Sequence, residues 1–320
     1  MAKQWFAVGQ TLTPASRSGL AVMSFLIPLL LWSLVSYVPF LWHPMVSITD
    51  PGEVSFFTEG MLVDKAVFRE QSAIVAAEDK TLPQGTPANP IYLPAPHEVA
   101  VAFYTAFTTE PQRRNEKWLH ESLADSIKVI FWGFFLASLI GVPLGILAGT
   151  YVVVSRLTEP FIEFFRYLPA PAFGALAVAV LGIHEAPKIA IIFIGTFFQM
   201  VLIVANTTRK LDPALLEAAL TLGAKRLSLL FMVVVPGIIT DLYKDLRILL
   251  GWAWTYLIVA EMIGASSGIT WFITQQARYK NFDNVFAAII IIGIIGLLSD
   301  LILARLGRRL FPWQRGTATA

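Results

Sequence analysis

A chain of 320 residues that is 56% hydrophobic and 14% charged, with a mean hydropathy of +0.66, lies outside the balance of soluble globular proteins and reads as a membrane protein. Its net charge of +2 excludes the strongly basic character expected of a nucleic-acid binder, so no nucleic-acid partner is expected. The absence of cysteine excludes disulfides, thiolate metal sites and cysteine nucleophiles together.

An N-terminal segment, 1–19, precedes the first apolar run, 20–42, which carries no charged residue. At ~1.5 Å per residue that run is long enough to cross a hydrocarbon core of ~30 Å. It ends in Pro39-Phe40-Leu41-Trp42-His43-Pro44 instead of a small-x-small cleavage site, which predicts an uncleaved first helix.

The polar stretch 43–120 is punctuated by eight prolines and holds one predicted helix, with Val63, Val67 and Ile74 on one face. It carries ten acidic and six basic residues, an acidic balance that suits the exported side. We read it as an ordered cap, either a docking surface for a soluble partner or a solvated insertion.

Five further runs of membrane length follow at 127–149, 161–181, 189–206, 238–261 and 285–304, making six spans within a core drawn as 121–304. The expected fold is therefore an all-α membrane protein with six transmembrane helices. Arg209, Lys210, Lys225 and Arg226 after the fourth span, and Arg305, Arg308, Arg309 and Arg315 in the tail 305–320, assign those segments to the cytoplasm. Both termini then lie inside.

In the second span Gly133, Ala137, Gly141, Gly145 and Gly149 recur every fourth residue and form a groove of small residues on one helix face. Such a stripe serves either tight packing within the subunit or an interface that slides. Pro143 predicts a bend in the same span.

The loop 207–236 contains a short helix bounded by strong local signals. Asp212 is an N-cap, Pro213 occupies the first helical position and Gly223 ends the helix. Its apolar face, predicted as Leu215, Leu216, Ala219 and Leu222, needs a cover: the membrane surface, or a groove on a cytoplasmic protein.

Charged residues near the spans need partners, water or an interface. Arg166, before Pro169 and Pro171, and Arg247, after Lys244 and Asp245, either snorkel and pair locally or form an inner gate. Thr196, Gln199 and Trp252 are candidates for a conduit wall, the alternative being helix-to-helix hydrogen bonds. Glu261, beside Gly264 and Gly268, either caps a re-entering segment 266–273 or contacts an external partner. His184 next to Glu185 lacks metal-ligand spacing, and no metal site is assigned.

The spacing Glu217-Ala218-Ala219, three residues, Gly223, nine residues, Val233, one residue, Val235-Pro236 resembles the EAA loop of ABC importer permeases. The segments Leu93-Pro-Ala-Pro-His-Glu-Val99, Phe164-Phe-Arg-Tyr-Leu-Pro-Ala-Pro171, Ala260-Glu-Met-Ile-Gly-Ala-Ser-Ser-Gly268 and Leu310-Phe-Pro-Trp313 resemble the nitrate/sulfonate/taurine/bicarbonate branch. The resemblance covers roughly 93–313 and departs at 43–92, which is longer than that branch usually has.

It implies a type I ABC importer permease-like subunit with an extended periplasmic insertion after helix 1, in a bacterial inner membrane. The coupling contact to the ATPase would fall on Asp212, Pro213, Leu216, Glu217, Ala218, Ala219, Gly223, Ala224 and Pro236. The implied partners are a cytoplasmic ABC ATPase dimer, a periplasmic or lipid-anchored solute-binding protein, a second permease copy and membrane lipid. No cofactor is expected on this chain, ATP and Mg being bound by the ATPase.

The rival reading is a secondary transporter or membrane enzyme. The sequence shows no convincing internal repeat, no Walker-type loop, no His-Glu-x-x-His and no Gly-x-Ser-x-Gly.

Overall fold

The computed structural model describes residues 13–111, 117–263 and 267–313. Gly264, Ser266 and Arg315, together with 1–12 and the tail beyond Trp313, lie outside the described residues. The chain divides into two compact units, one formed by residues up to 106 with 276–287, the other by 107–275 with the remainder from 288.

In the first unit, Thr13 accepts the amide of Ser16 on its hydroxyl and opens α1, Pro14–Tyr37. Three short strands follow, β1 (Met45–Asp50), β2 (Leu62–Asp64) and β3 (Gln84–Ala88), antiparallel in the order β2-β1-β3. The central strand turns Val46 and Ile48 inward by simple alternation. Val46 lies opposite Val63 on one side and Pro87 on the other. Pro87 is tolerated because β3 is an edge strand.

Asp64 then caps α2, Lys65–Ala77, by accepting the Ala66 amide at 2.8 Å. This part of the chain corrects the single-helix expectation. Val63 belongs to β2, and Val67 and Ile74 are exposed, while Phe68 and Val75 pack with Ile48, Val54, Phe57 and Val63. Two stripes with the same seven-residue spacing run along α2, and the sheet covers the one that carries the phenylalanine. The first unit also contains most of α3, Pro96–Thr108.

The second unit is built on α4, Leu119–Thr150, α5, Val152–Arg166, α6, Gly174–Leu181, and α7, Glu185–Arg209. It continues through α8, Pro213–Thr221, α9, Arg226–Leu229, and α10, Val235–Ile263. Beyond these come α11, Ile269–Arg278, and α12, Phe282–Leu310. Among the described residues five helices are long and apolar enough to cross a membrane, or six if the sharply bent pair α5 and α6 counts as one span.

That pair corrects the expected run 161–181, because the two helices meet at 88°. Pro169 and Pro171 cannot continue an α-helix, and a 3-10 turn, Ala170–Phe173, takes the corner.

The groove of small residues in α4 is filled by α7. A methyl group on Gly133 would meet Ile192 at 2.7 Å, one on Gly145 would meet the Val201 carbonyl at 2.8 Å, and one on Gly149 would meet Thr208 at 2.5 Å. The stripe is thus packing within the subunit. Lipid supplies no hydrophobic drive between helices, so this close van der Waals fit is what holds α4 to α7. Met200 and Val204 of α7 continue the same core toward Ile238, Leu242 and Leu249 of α10.

Gly145→Val is accordingly expected to lower the thermal unfolding midpoint of the detergent-purified chain, with a loss of about 1–3 kcal/mol for overpacking against backbone. Leu139→Ala, on an exposed face of α4, serves as the neutral control. A Gly145→Val chain that melts with the parent would show that the two helices do not close at this point.

Candidate functional site

The loop between α7 and α10 is a rigid object built from local chemistry. Asp212 accepts the Ala214 amide at 2.9 Å, and Pro213 begins α8 where a missing N–H costs nothing. At the other end Gly223, at φ +84°, donates to the Leu220 carbonyl at 2.9 Å, and Ala224 donates to the Ala219 carbonyl at 3.0 Å. These two bonds close a Schellman cap, and the left-handed glycine is what permits it.

A π turn, Leu230–Val234, carries the chain from α9 into α10, with the Val235 amide bonded to the Leu230 carbonyl. The wider turn accommodates Pro236, which has no N–H to give and whose ring crowds the carbonyl four residues back.

The face of α8 differs from expectation. Leu216 and Ala219 turn inward, Leu216 onto the core that includes Leu230 and Ile238, whereas Leu215 and Leu222 are 51% and 89% exposed. Two positions three apart are all that the π turn can cover on a nine-residue helix. At 100° per residue the opposite face presents Ala214, Glu217, Ala218 and Thr221, flanked by exposed Leu215, Leu220 and Leu222. The Glu217 carboxylate is exposed and has no side-chain partner among the described residues.

The candidate pathway residues separate into two groups. Arg166, Gln199 and Trp252 line one small cleft with Phe198 and Tyr256. Arg166 is the last residue of α5 before the broken corner, where its guanidinium lies 4.7 Å from the Tyr167 ring and donates to Tyr167 Oη at 2.9 Å. Gly195 opens the cleft, since a methyl group there would stand 2.8 Å from the Tyr256 ring. Gln199 carries no side-chain hydrogen bond among the described residues, and Trp252 is 42% exposed.

Thr196, Arg247 and Glu261 do not line this cleft. Thr196 is fully buried and returns its hydroxyl to the Ile192 carbonyl of its own helix at 2.7 Å. Arg247 forms a two-pronged ion pair with Asp300 of α12, with contacts of 2.9–3.0 Å. A guanidinium held this way ties α10 to α12 and is not free for a solute.

Glu261 is 1% exposed and caps α11: it accepts the Thr270 amide at 2.8 Å and the Ser126 hydroxyl, which in turn accepts the Ile269 amide at 2.8 Å. Gly268, at φ +106°, leaves the space that the carboxylate occupies.

Sequence reading missed Lys188. It is 1% exposed, and its ammonium donates to the Ser267 carbonyl at 2.8 Å and hydroxyl at 3.0 Å, joining the same network. The available signal was a lysine one residue outside a span drawn from Ile189; α7 starts four residues earlier, at Glu185, and takes Lys188 inside.

The signature described as binding-protein-dependent transport system inner membrane component matches residues 141–312. The taurine transport system permease protein TauC of Escherichia coli K12 is 33% identical over 226 residues, covering 71% of this chain and 82% of that protein. A probable ABC transporter permease protein of Brucella abortus is 36% identical over 59% of this chain and 76% of its own length. Among solved structures, an inward-facing MetNI methionine ABC transporter has a similar fold, with a TM-score of 0.55 at 18% identity, over 62% of this chain and 99% of that one.

Proposed function

Since the chain belongs to the binding-protein-dependent transport system inner membrane component family, as a multi-pass inner-membrane permease subunit of an ATP-driven importer, we propose that α8 is the helix through which it is driven. The observation that carries this reading is a short helix fixed at both ends whose outward face, Ala214, Glu217, Ala218 and Thr221 between exposed leucines, has no cover. Small residues beside one carboxylate suit a plug that seats deeply and is oriented by a single charge.

In this proposal the cover is a cytoplasmic ATPase dimer, which binds ATP and Mg. Both termini are cytoplasmic and 43–120 faces outward to a solute-binding protein. One chain supplies one such plug, so two copies, or one copy and a similar subunit, complete the importer. The conduit passes the cleft of Arg166, Gln199 and Trp252, whose guanidinium and free donors suit a small anionic or sulfonate-bearing solute, in the class of nitrate, sulfonate, taurine or bicarbonate. The name of the Escherichia coli relative supports that class.

The absence of cysteine makes the test clean, because a single Leu222→Cys substitution places the only thiol on the most exposed leucine of the plug. With the ATPase co-expressed, a short thiol-to-amine cross-linker is expected to join the two proteins from this position and not from Leu139→Cys on a lipid-facing side of α4. Cross-linking to lipid alone, or equally from both positions, would remove the coupling assignment.

A further inference from the structure

The first unit contains a cavity of about 600 Å3, lined entirely by its own residues, within the size range of small-molecule sites. Its wall is assembled from the last turn of α1, the sheet, the segment after β3, the start of α3 and the start of α12. Of the six buried polar side-chain atoms without a hydrogen-bond partner among the described residues, three belong to residues of this wall: Ser36 Oγ, His43 Nδ1 and Asn89 Oδ1. All three atoms are buried behind the wall, out of an occupant's reach, so what the cavity can take is set by the side chains that face it.

The charges identify its class. Lys280, in the turn that closes α11, and Asp283, in the first turn of α12, stand on the same wall, and neither has a side-chain partner among the described residues. Lys280 is held at φ +63°, a backbone setting that lysine rarely adopts. Glu98, the third charged wall residue, is occupied by the Ala95 amide at 2.6 Å.

Tyr37 Oη accepts the His97 amide at 3.3 Å and is hydrogen-bonded to His97 Nδ1 at 2.7 Å. Leu62, Ile91 and Phe282 give the cavity an apolar side. A plain anion would face two carboxylates and a plain cation would face Lys280; a molecule carrying both charges leaves neither wall charge stranded.

We propose that this cavity is a binding site for a small zwitterion with an apolar tail, of the kind represented by an apolar α-amino acid. The site is separate from the cleft of the second unit, and its assignment does not depend on which solute the core conducts.

The test is titration calorimetry on the full-length purified chain with L-leucine and L-phenylalanine, and with N-acetyl-leucine and leucinamide as single-charge controls. Saturable binding of at least one zwitterion is expected, at least tenfold tighter than either control and at least tenfold weaker in Lys280→Gln, a surface change that does not threaten folding.

Asp283→Asn is expected to weaken binding of the same zwitterion at least tenfold, because it removes the carboxylate that faces the ligand's ammonium. No binding by either amino acid, equal binding of the controls, or an unchanged affinity in Lys280→Gln would overturn the site. So would an unchanged affinity in Asp283→Asn.

Discussion

Glu217→Lys is expected to cut ATP-driven uptake in reconstituted vesicles at least tenfold while leaving the stability of the chain within about 0.5 kcal/mol of the parent, as for an exposed position. The separation of the two effects follows from where the carboxylate stands. It is solvent-exposed, has no side-chain partner among the described residues and sits on the face of α8 turned away from Leu216 and Ala219. Nothing inside the chain loses a contact when it changes.

Reversing its charge acts only on what docks there, and like charges brought together in a closing interface are repelled by several kcal/mol, more than the ~1.4 kcal/mol that a tenfold loss requires. Gly223→Pro should produce the same loss of uptake by another route. Proline cannot adopt φ +84° and removes the N–H bonded to Leu220, so the cap opens and the plug frays. Asp212→Ala, which removes a single capping bond worth about 1 kcal/mol, should fall between parent and Gly223→Pro. Unchanged uptake and unchanged ATPase co-elution in Glu217→Lys would leave α8 without a role in coupling.

The contrast between α8 and the broken span shows what a sequence discloses. Every device that shapes α8 acts within three residues of the one that signals it: Asp212 on Ala214, Gly223 on Leu220, Pro236 on the turn before it. Local chemistry of this kind is readable without knowing the fold. The direction of the helix face is not, because Leu215 and Leu216 are equally apolar and only the neighbouring π turn decides which is covered.

The run 161–181 failed for a related reason. Hydropathy summed along a window is blind to an 88° corner, although Pro169 and Pro171 marked it. In the first unit β1 has two buried positions, β2 one and β3 none, too few to stand out against the prolines around them. The small stripe of α4 announced a close neighbour but could not name α7, since any helix able to approach would satisfy it. The cleft was legible as separate donors, Arg166, Gln199 and Trp252; their convergence required the broken corner and the missing side chain of Gly195.

The network around Glu261 and Lys188 yields the other large expected effect. Glu261→Ala should destabilise the chain by about 3–5 kcal/mol, the range found when one charged partner is deleted from a buried arrangement. The substitution removes the acceptor of the Thr270 amide and of the Ser126 hydroxyl, and it deprives buried Lys188 of the carboxylate whose charge it faces. Four elements meet there, Ser126 from α4, Lys188 from α7, Glu261 from α10 and the start of α11, so the loss is felt across the second unit.

Glu261→Gln keeps an oxygen for the Thr270 amide and should be milder. Pairing it with Lys188→Met removes both charges, and the double substitution should be less damaging than the sum of the singles by about 1–3 kcal/mol. Thermal unfolding of the four proteins measures the cycle. The same series separates the two roles open to this carboxylate: a cap loses stability and uptake together, whereas a group touching the solute would lose uptake at unchanged stability. A Glu261→Ala chain that melts with its parent and fails to transport would return Glu261 to the conduit.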